Sequence, residues 1–190
     1  MKASILPLTA LALAIAGCSG KPDDKAADAA ATDTAVAASA TPEAAGSAVA
    51  ADGNAAQFLT DAMKGDNSEV RVAKLAADKG STKGVRDFGT MLATDHGAHL
   101  DKVKAAARSL GVPVTTETKP DADALYAKLQ GMRGADFDKT FLAAMIANHE
   151  KGIASNEKEA ASGDPSAVTE LAKATVPTLK HHLETAQSLE

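Results

Sequence analysis

Residues Lys83–Leu110 read KGVRDFGTMLATDHGAHLDKVKAAARSL, and the period of their apolar positions decides the fold. At about 100° per residue, Val85, Phe88, Leu92, His96, His99, Val103, Ala106 and Leu110 fall within about 40° of Leu92's direction. That is one face of an amphipathic helix. Ser81 or Thr82 can cap its start, and Gly111, with Pro113 beyond it, ends it. His96 and His99 lie inside the apolar seam, with Asp95 about 60° to one side. The seam therefore carries polar groups that are costly to bury unless each finds a partner.

The same three- and four-residue spacing recurs on both sides of this segment, without an alternating run that would mark a strand. A first helix is expected from about Ala55 to Lys79, stopped by Gly80, and Val112 to Pro120 reads as a loop after the second. Asp121 opens a short helix through about Gln130, which Gly131 and Gly134 break. A long third helix reaches about Ser162. Gly163-Asp164-Pro165 then turns the chain into a fourth, with Pro165 suited to its first turn and Pro177 inside it. The expected class is all-α, a ferritin-like four-helix bundle with a short extra helix in the crossover between the second and third long helices.

On the third helix Phe141, Met145, His149 and Gly152 share an inward arc that includes Asp138, with Phe137 at its edge. On the fourth, Val168, Leu171, Thr175, Leu179, His182 and Ala186 share another, while His181 points about 100° away, toward solvent. On the first helix Glu69 shares a stripe with Phe58, Ala62, Ala73 and Ala76, although Leu75 lies opposite. Inward histidines and a carboxylate from different helices are how bundles assemble metal sites, and neutral imidazole suits zinc, copper or iron. Glu69, His96, His149 and His182 are accordingly the candidate ligands of one transition-metal ion. Asp95, His99 and Asp138 could add a ligand or orient an imidazole.

The same residues also read as a polar network that braces the core, with Glu69 supplying a hydrogen-bond partner. Asp138, after Phe137, can equally cap or brace the start of the third helix. No Glu-x-x-His stands on any helix, so the di-iron carboxylate pattern is not met.

The N-terminus, MKASILPLTALALAIAGCSG, has a positive residue at Lys2, a short apolar run from Ile5 to Ile15, and Ile15-Ala16-Gly17-Cys18 at its end. The run is too short to span a bilayer and reads as a secretion signal whose last residues resemble a bacterial lipobox. Residues 1–17 would be removed and Cys18 lipidated, anchoring the chain to a membrane through acyl chains such as palmitate. Ser19, where an Asp would favour the inner membrane, points to the outer membrane, facing the periplasm. Residues 18–54, rich in alanine and small polar residues, read as a flexible tether, leaving 55–190 as the bundle.

A net charge of −5, no Trp, one Tyr and four Phe argue against a nucleic-acid partner. No Walker loop, dinucleotide glycine pattern or nucleophile elbow is present, so no catalytic residue is assigned. The sequence is expected to encode an envelope-anchored bundle that binds a metal ion. The alternative is a structural, interaction or stress-protection module of the envelope without metal.

Phe58-Leu59, Glu69, Met91-Leu92-x-x-Asp95-His96, Gly134-x-x-Phe137-Asp138, His149 and Leu179-x-x-His182-Leu183 together resemble domain-of-unknown-function family 4142. The resemblance covers about Ala55 to Leu189 and implies an exported or lipid-anchored bacterial protein with a ferritin-like bundle. It implies recurring positions at Glu69, Asp95, His96, Phe137, Asp138, His149, Pro177 and His182, with no established activity.

Overall fold

The computed structural model of the chain describes residues 52–190. The signal, Cys18 and the tether through residue 51 lie outside the described residues. Among the described residues the secondary structure is entirely helical: α1 (Gly53–Lys79), α2 (Lys83–Ser109), α3 (Pro120–Gln130), α4 (Gly134–Ala160) and α5 (Ser166–Leu189).

The helix ends follow the local chemistry. Asp52 starts α1 a little earlier than its apolar stripe suggests, its Oδ1 accepting from the backbone N–H of Asn54 and Ala55, each at 2.9 Å. Thr82 is the cap of α2, its Oγ1 accepting from Val85 N at 3.2 Å. Pro120 lies inside the first turn of α3, where a missing N–H costs nothing, so this helix begins one residue before Asp121. Gly111 just past α2 and Gly134 at the start of α4 have φ of 72° and 62°, the left-handed region that a side chain would strain. Pro165 stands just before α5 as its cap, and α5 continues through Pro177.

The long helices pack as two hairpins, α1 on α2 and α4 on α5, joined chiefly where α2 meets α5, while α1 touches α4 only sparsely. Short α3 lies against α1, where Arg71 stacks over the Tyr126 ring at 3.9 Å and Lys119 N donates to Ser68 Oγ at 2.9 Å. That contact gives α1 a second buried face, and it explains why Leu75, opposite the expected stripe, packs on the core.

Two apolar clusters fill the interior. One gathers Val72, Phe88, Leu92, Phe137, Phe141 and Met145, the other Leu59, Met63, Leu100, Val103 and Val168. The apolar run along α2 breaks between Leu92 and Leu100, and along α1 between Met63 and Val72. A polar layer occupies that gap.

Candidate metal centre

The polar layer is built by ordinary helix phase. His96 follows Leu92 and precedes Leu100 and Val103 at spacings of three and four, so the face that buries those apolar residues buries the imidazole too. His149 follows Met145 by one turn on α4, and His182 lies between Leu179 and Ala186 on α5. All three rings are buried, and their centroids stand 5.7 Å (His96–His149), 5.5 Å (His96–His182) and 5.2 Å (His149–His182) apart. One ring nitrogen from each lies within 4.8 Å of the other two.

Each ring has its other nitrogen occupied. His96 Nδ1 donates to Asp66 Oδ1 at 2.9 Å, His149 Nδ1 to the Met145 carbonyl at 2.8 Å, and His182 Nε2 to Asp95 Oδ2 at 2.9 Å. In the neutral form that metal ligation requires, an imidazole has one N–H, so these bonds would leave His96 Nε2, His149 Nε2 and His182 Nδ1 as lone-pair donors. The last two are 3.2 Å apart. His96 Nε2 is buried without a hydrogen-bond partner, and so is Glu69 Oε2, whose sister oxygen accepts from Asn148 Nδ2 at 3.3 Å. An orphaned buried acceptor costs about 1–3 kcal/mol, and a cation would satisfy both. Imidazoles held from behind by carboxylates or a carbonyl are the arrangement metal sites use to fix tautomer and orientation.

Electrostatics sort the groups. Burial would lower the pKa of His96, but the Asp66 hydrogen bond and the nearby Glu69, Asp66 and Asp95 carboxylates outweigh it, so the net shift is upward. Burial lowers His149 to about 4, with the charge of His96 adding to the effect. Burial also lowers His182, against the Asp95 hydrogen bond. Burial raises Glu69, only partly offset by His96 and Asn148. Asp66 is lowered, because its bonds to His96 and His99 overcome burial.

The sequence-derived candidates therefore separate. His96, His149 and His182 come together, and Glu69 lines the same cleft with one oxygen unpaired. Asp95 orients His182. His99 stands beside the cluster, its Nδ1 at 2.8 Å from Asp66 Oδ2 and its Nε2 at 2.9 Å from Thr175 Oγ1. Asp138 does not join the cluster: it accepts from Ser81 N at 2.8 Å, Ser81 Oγ at 2.6 Å and Thr82 N at 3.2 Å. It braces the turn between α1 and α2 rather than a ligand or the start of its own helix. His181 is exposed.

Asp66, which sequence reasoning missed, links His96 to His99 and is only 4% exposed. The expected stripe on α1 was rotated away from it. Asp66 lies within about 20° of Leu59's direction, in line with the buried Leu59, Met63 and Ala73, and that alignment was the signal available.

The cluster borders a cleft of about 640 Å³ whose lining includes Glu69, His96, His149 and His182 together with Gly65 and Lys119.

The sequence matches the family model described as Domain of unknown function (DUF4142) over residues 37–189, a span that begins within the stretch read as tether. No curated protein matches the chain in sequence. Its fold is similar to the crystal structure of a DUF305 fragment from Deinococcus radiodurans, with a TM-score of 0.65 at 17% identity, covering 74% of this chain and 97% of that one. At that identity the likeness bears on the helical fold alone.

Proposed function

The chain belongs to the DUF4142 family, and we propose that this member binds a single transition-metal ion through His96, His149 and His182, with Glu69 contributing a carboxylate. The observation that carries the reading is the convergence of three buried imidazole rings beside two buried atoms, His96 Nε2 and Glu69 Oε2, that have no partner. A network meant only to brace the core would pair those atoms with each other or with neighbours. Imidazole and carboxylate donors without thiolate suit zinc, copper(II) or iron. Histidines supply neutral donors, so Glu69 would offset one unit of the ion's charge.

The test is the metal content of protein purified without a histidine tag, then after reconstitution with zinc, copper or iron. Close to one ion per chain supports the reading. No binding of any of the three would replace it with the metal-free structural or interaction module.

In the same reading the bundle is held at the cell envelope, at the outer membrane's periplasmic face, by lipid on Cys18. Among the described residues no helix is long and apolar enough to cross a membrane, so attachment would rest on the lipid. Cys18→Ser removes the thiol that lipidation needs, and the variant should leave the detergent phase that wild type enters. Identical partitioning of the two would overturn the anchor.

A further inference from the structure

The cleft beside the histidine cluster lies along the sparsely packed seam between α1 and α4. Small side chains keep it open: Ala62 and Gly65 on α1, Gly152 and Ser155 on α4, Thr178 on α5. At about 640 Å³ it is far larger than an ion needs and falls within the usual range for small-molecule sites, about 300–1,000 Å³. The four proposed ligands all line it, so an ion they hold is reachable from the cleft.

The charges of the lining indicate the guest. Each of its carboxylates accepts at least one hydrogen bond: Asp66 from His96 and His99, Asp95 from His182, Glu69 through one oxygen from Asn148, Asp61 from Gln57 Nε2 at 3.0 Å and Asp121 from the N–H of Ala122 at 3.0 Å. Lys102, Lys119 and Lys151 line the cleft, and none forms an ion pair within 4.0 Å among the described residues.

Lys119 is the best placed of the three. Its backbone is fastened to α1 by the bond to Ser68, and its side chain lies over Gly65, where a Cβ would stand 3.6 Å from the Lys119 Nζ. Glu69 follows Gly65 by one turn on α1, so that path carries the ammonium along the helix face that bears the Glu69 carboxylate. A cation without a partner, beside a metal-binding carboxylate and a reachable ion, is the chemistry that captures a small oxyanion.

We infer that the cleft admits a small oxyanion to the bound metal, a carboxylate, bicarbonate or phosphate, with the Lys119 ammonium holding its outer oxygen. This rests on the metal reading above, and one experiment keeps the two apart. Protein loaded with cobalt(II) is titrated with acetate, bicarbonate and phosphate while the visible ligand-field bands are followed, in wild type, Lys119→Met and Lys119→Arg. The bands of the cobalt protein alone test the metal site; their change on titration tests the cleft.

The expected result is a saturable band shift with at least one anion in wild type. Its apparent affinity should be weakened about tenfold or more in Lys119→Met, as expected for loss of a charge-assisted hydrogen bond, and largely restored in Lys119→Arg. The three anions also separate planar monoanion from tetrahedral dianion. Cobalt bands that no anion perturbs over a millimolar titration would overturn the inference and leave the metal site standing. A shift equally strong in Lys119→Met would overturn it as well. Failure of cobalt to bind would overturn the inference, and joined to failure of zinc, copper and iron it would remove the site as well.

Discussion

His149 Nε2 and His182 Nδ1 stand 3.2 Å apart, and each ring has an acceptor behind it, the Met145 carbonyl for one and the Asp95 carboxylate for the other. The single N–H of each neutral ring is used on its far side, so two lone pairs face across the gap. A bridging proton could relieve them, but burial holds both rings below the ordinary imidazole range, His149 at about 4. In the proposed site a metal ion would bridge them near neutral pH.

His96→Gln, His149→Gln and His182→Gln should each lose most of the thermal stabilisation that metal gives wild type. Gln keeps one hydrogen bond of an imidazole but is a poor ligand. A ligand that binds only the folded state stabilises it by an amount growing with the logarithm of its concentration, so calorimetry over a metal titration reads the effect directly. His181→Gln, at an exposed position, should respond as wild type does.

Asp66 predicts an acid limb to stability. Its carboxyl titrates lower in the folded state than in the unfolded one, whose value is about 3.9, because His96 and His99 bond its charged form more strongly than burial opposes it. The folded state thus binds fewer protons between the two values, and the stabilisation, complete above about pH 4, is lost as pH falls through the folded pKa. Urea unfolding of metal-free protein should show this limb in wild type and a weakened one in Asp66→Asn. The same variant should lower metal affinity roughly 10–100-fold, the usual effect of losing the group that orients a ligating imidazole.

The phases of α2, α4 and α5 were legible because large apolar residues mark them: Phe88 and Leu92, Phe141 and Met145, Val168 and Leu179 are buried where their spacing puts them. Helix α1 was harder. Its inward positions include Ala62, Ala73 and Ala76, which contrast little with their neighbours, and α3 buries a second face through Val72 and Leu75. The averaged direction drifted toward Glu69 and away from Asp66. Asp138 was misplaced along the axis rather than around it. It is buried as its phase requires, but it precedes His149 by three turns, about 16 Å at 1.5 Å per residue, and so meets the α1–α2 turn instead of the histidines. Which nitrogen each carboxylate takes depends on rotamers, and periodicity carries no information about them.

Gly89 sets how closely α1 and α2 approach. A Cβ there would come within 2.6 Å of Ala77 N and 2.7 Å of the Ala73 carbonyl oxygen, both backbone atoms that cannot move aside alone. Gly89→Ala should therefore destabilise the fold by about 1–3 kcal/mol despite alanine's better helix propensity. The loss is measured as a lower urea midpoint at unchanged slope. Gly97, with open space around its would-be Cβ, is the control, and Gly97→Ala should be neutral or mildly stabilising.

Glu69 should trade stability against binding. Burial, only partly offset by His96 and Asn148, raises its folded pKa above the ordinary glutamate range, and one carboxylate oxygen has no partner. A carboxyl with a raised folded pKa favours folding where it is protonated, below the unfolded value, and this contribution disappears as pH rises through the folded one. At neutral pH and without metal, the buried Glu69 carboxyl, which must give up its proton or hold it above its ordinary range, is thus a cost that a bound cation would offset. Glu69→Gln keeps an amide oxygen for Asn148 Nδ2 and removes the charge. Metal-free Glu69→Gln should therefore be more stable than wild type at neutral pH, with the difference shrinking as pH falls toward the unfolded carboxyl's value. Its stabilisation by added metal should be smaller than wild type's at every metal concentration. Unfolding curves at neutral and acidic pH, each with and without metal, measure both effects. A variant that is less stable without metal and equally responsive to it would show Glu69 to be a structural partner of Asn148 instead of a ligand.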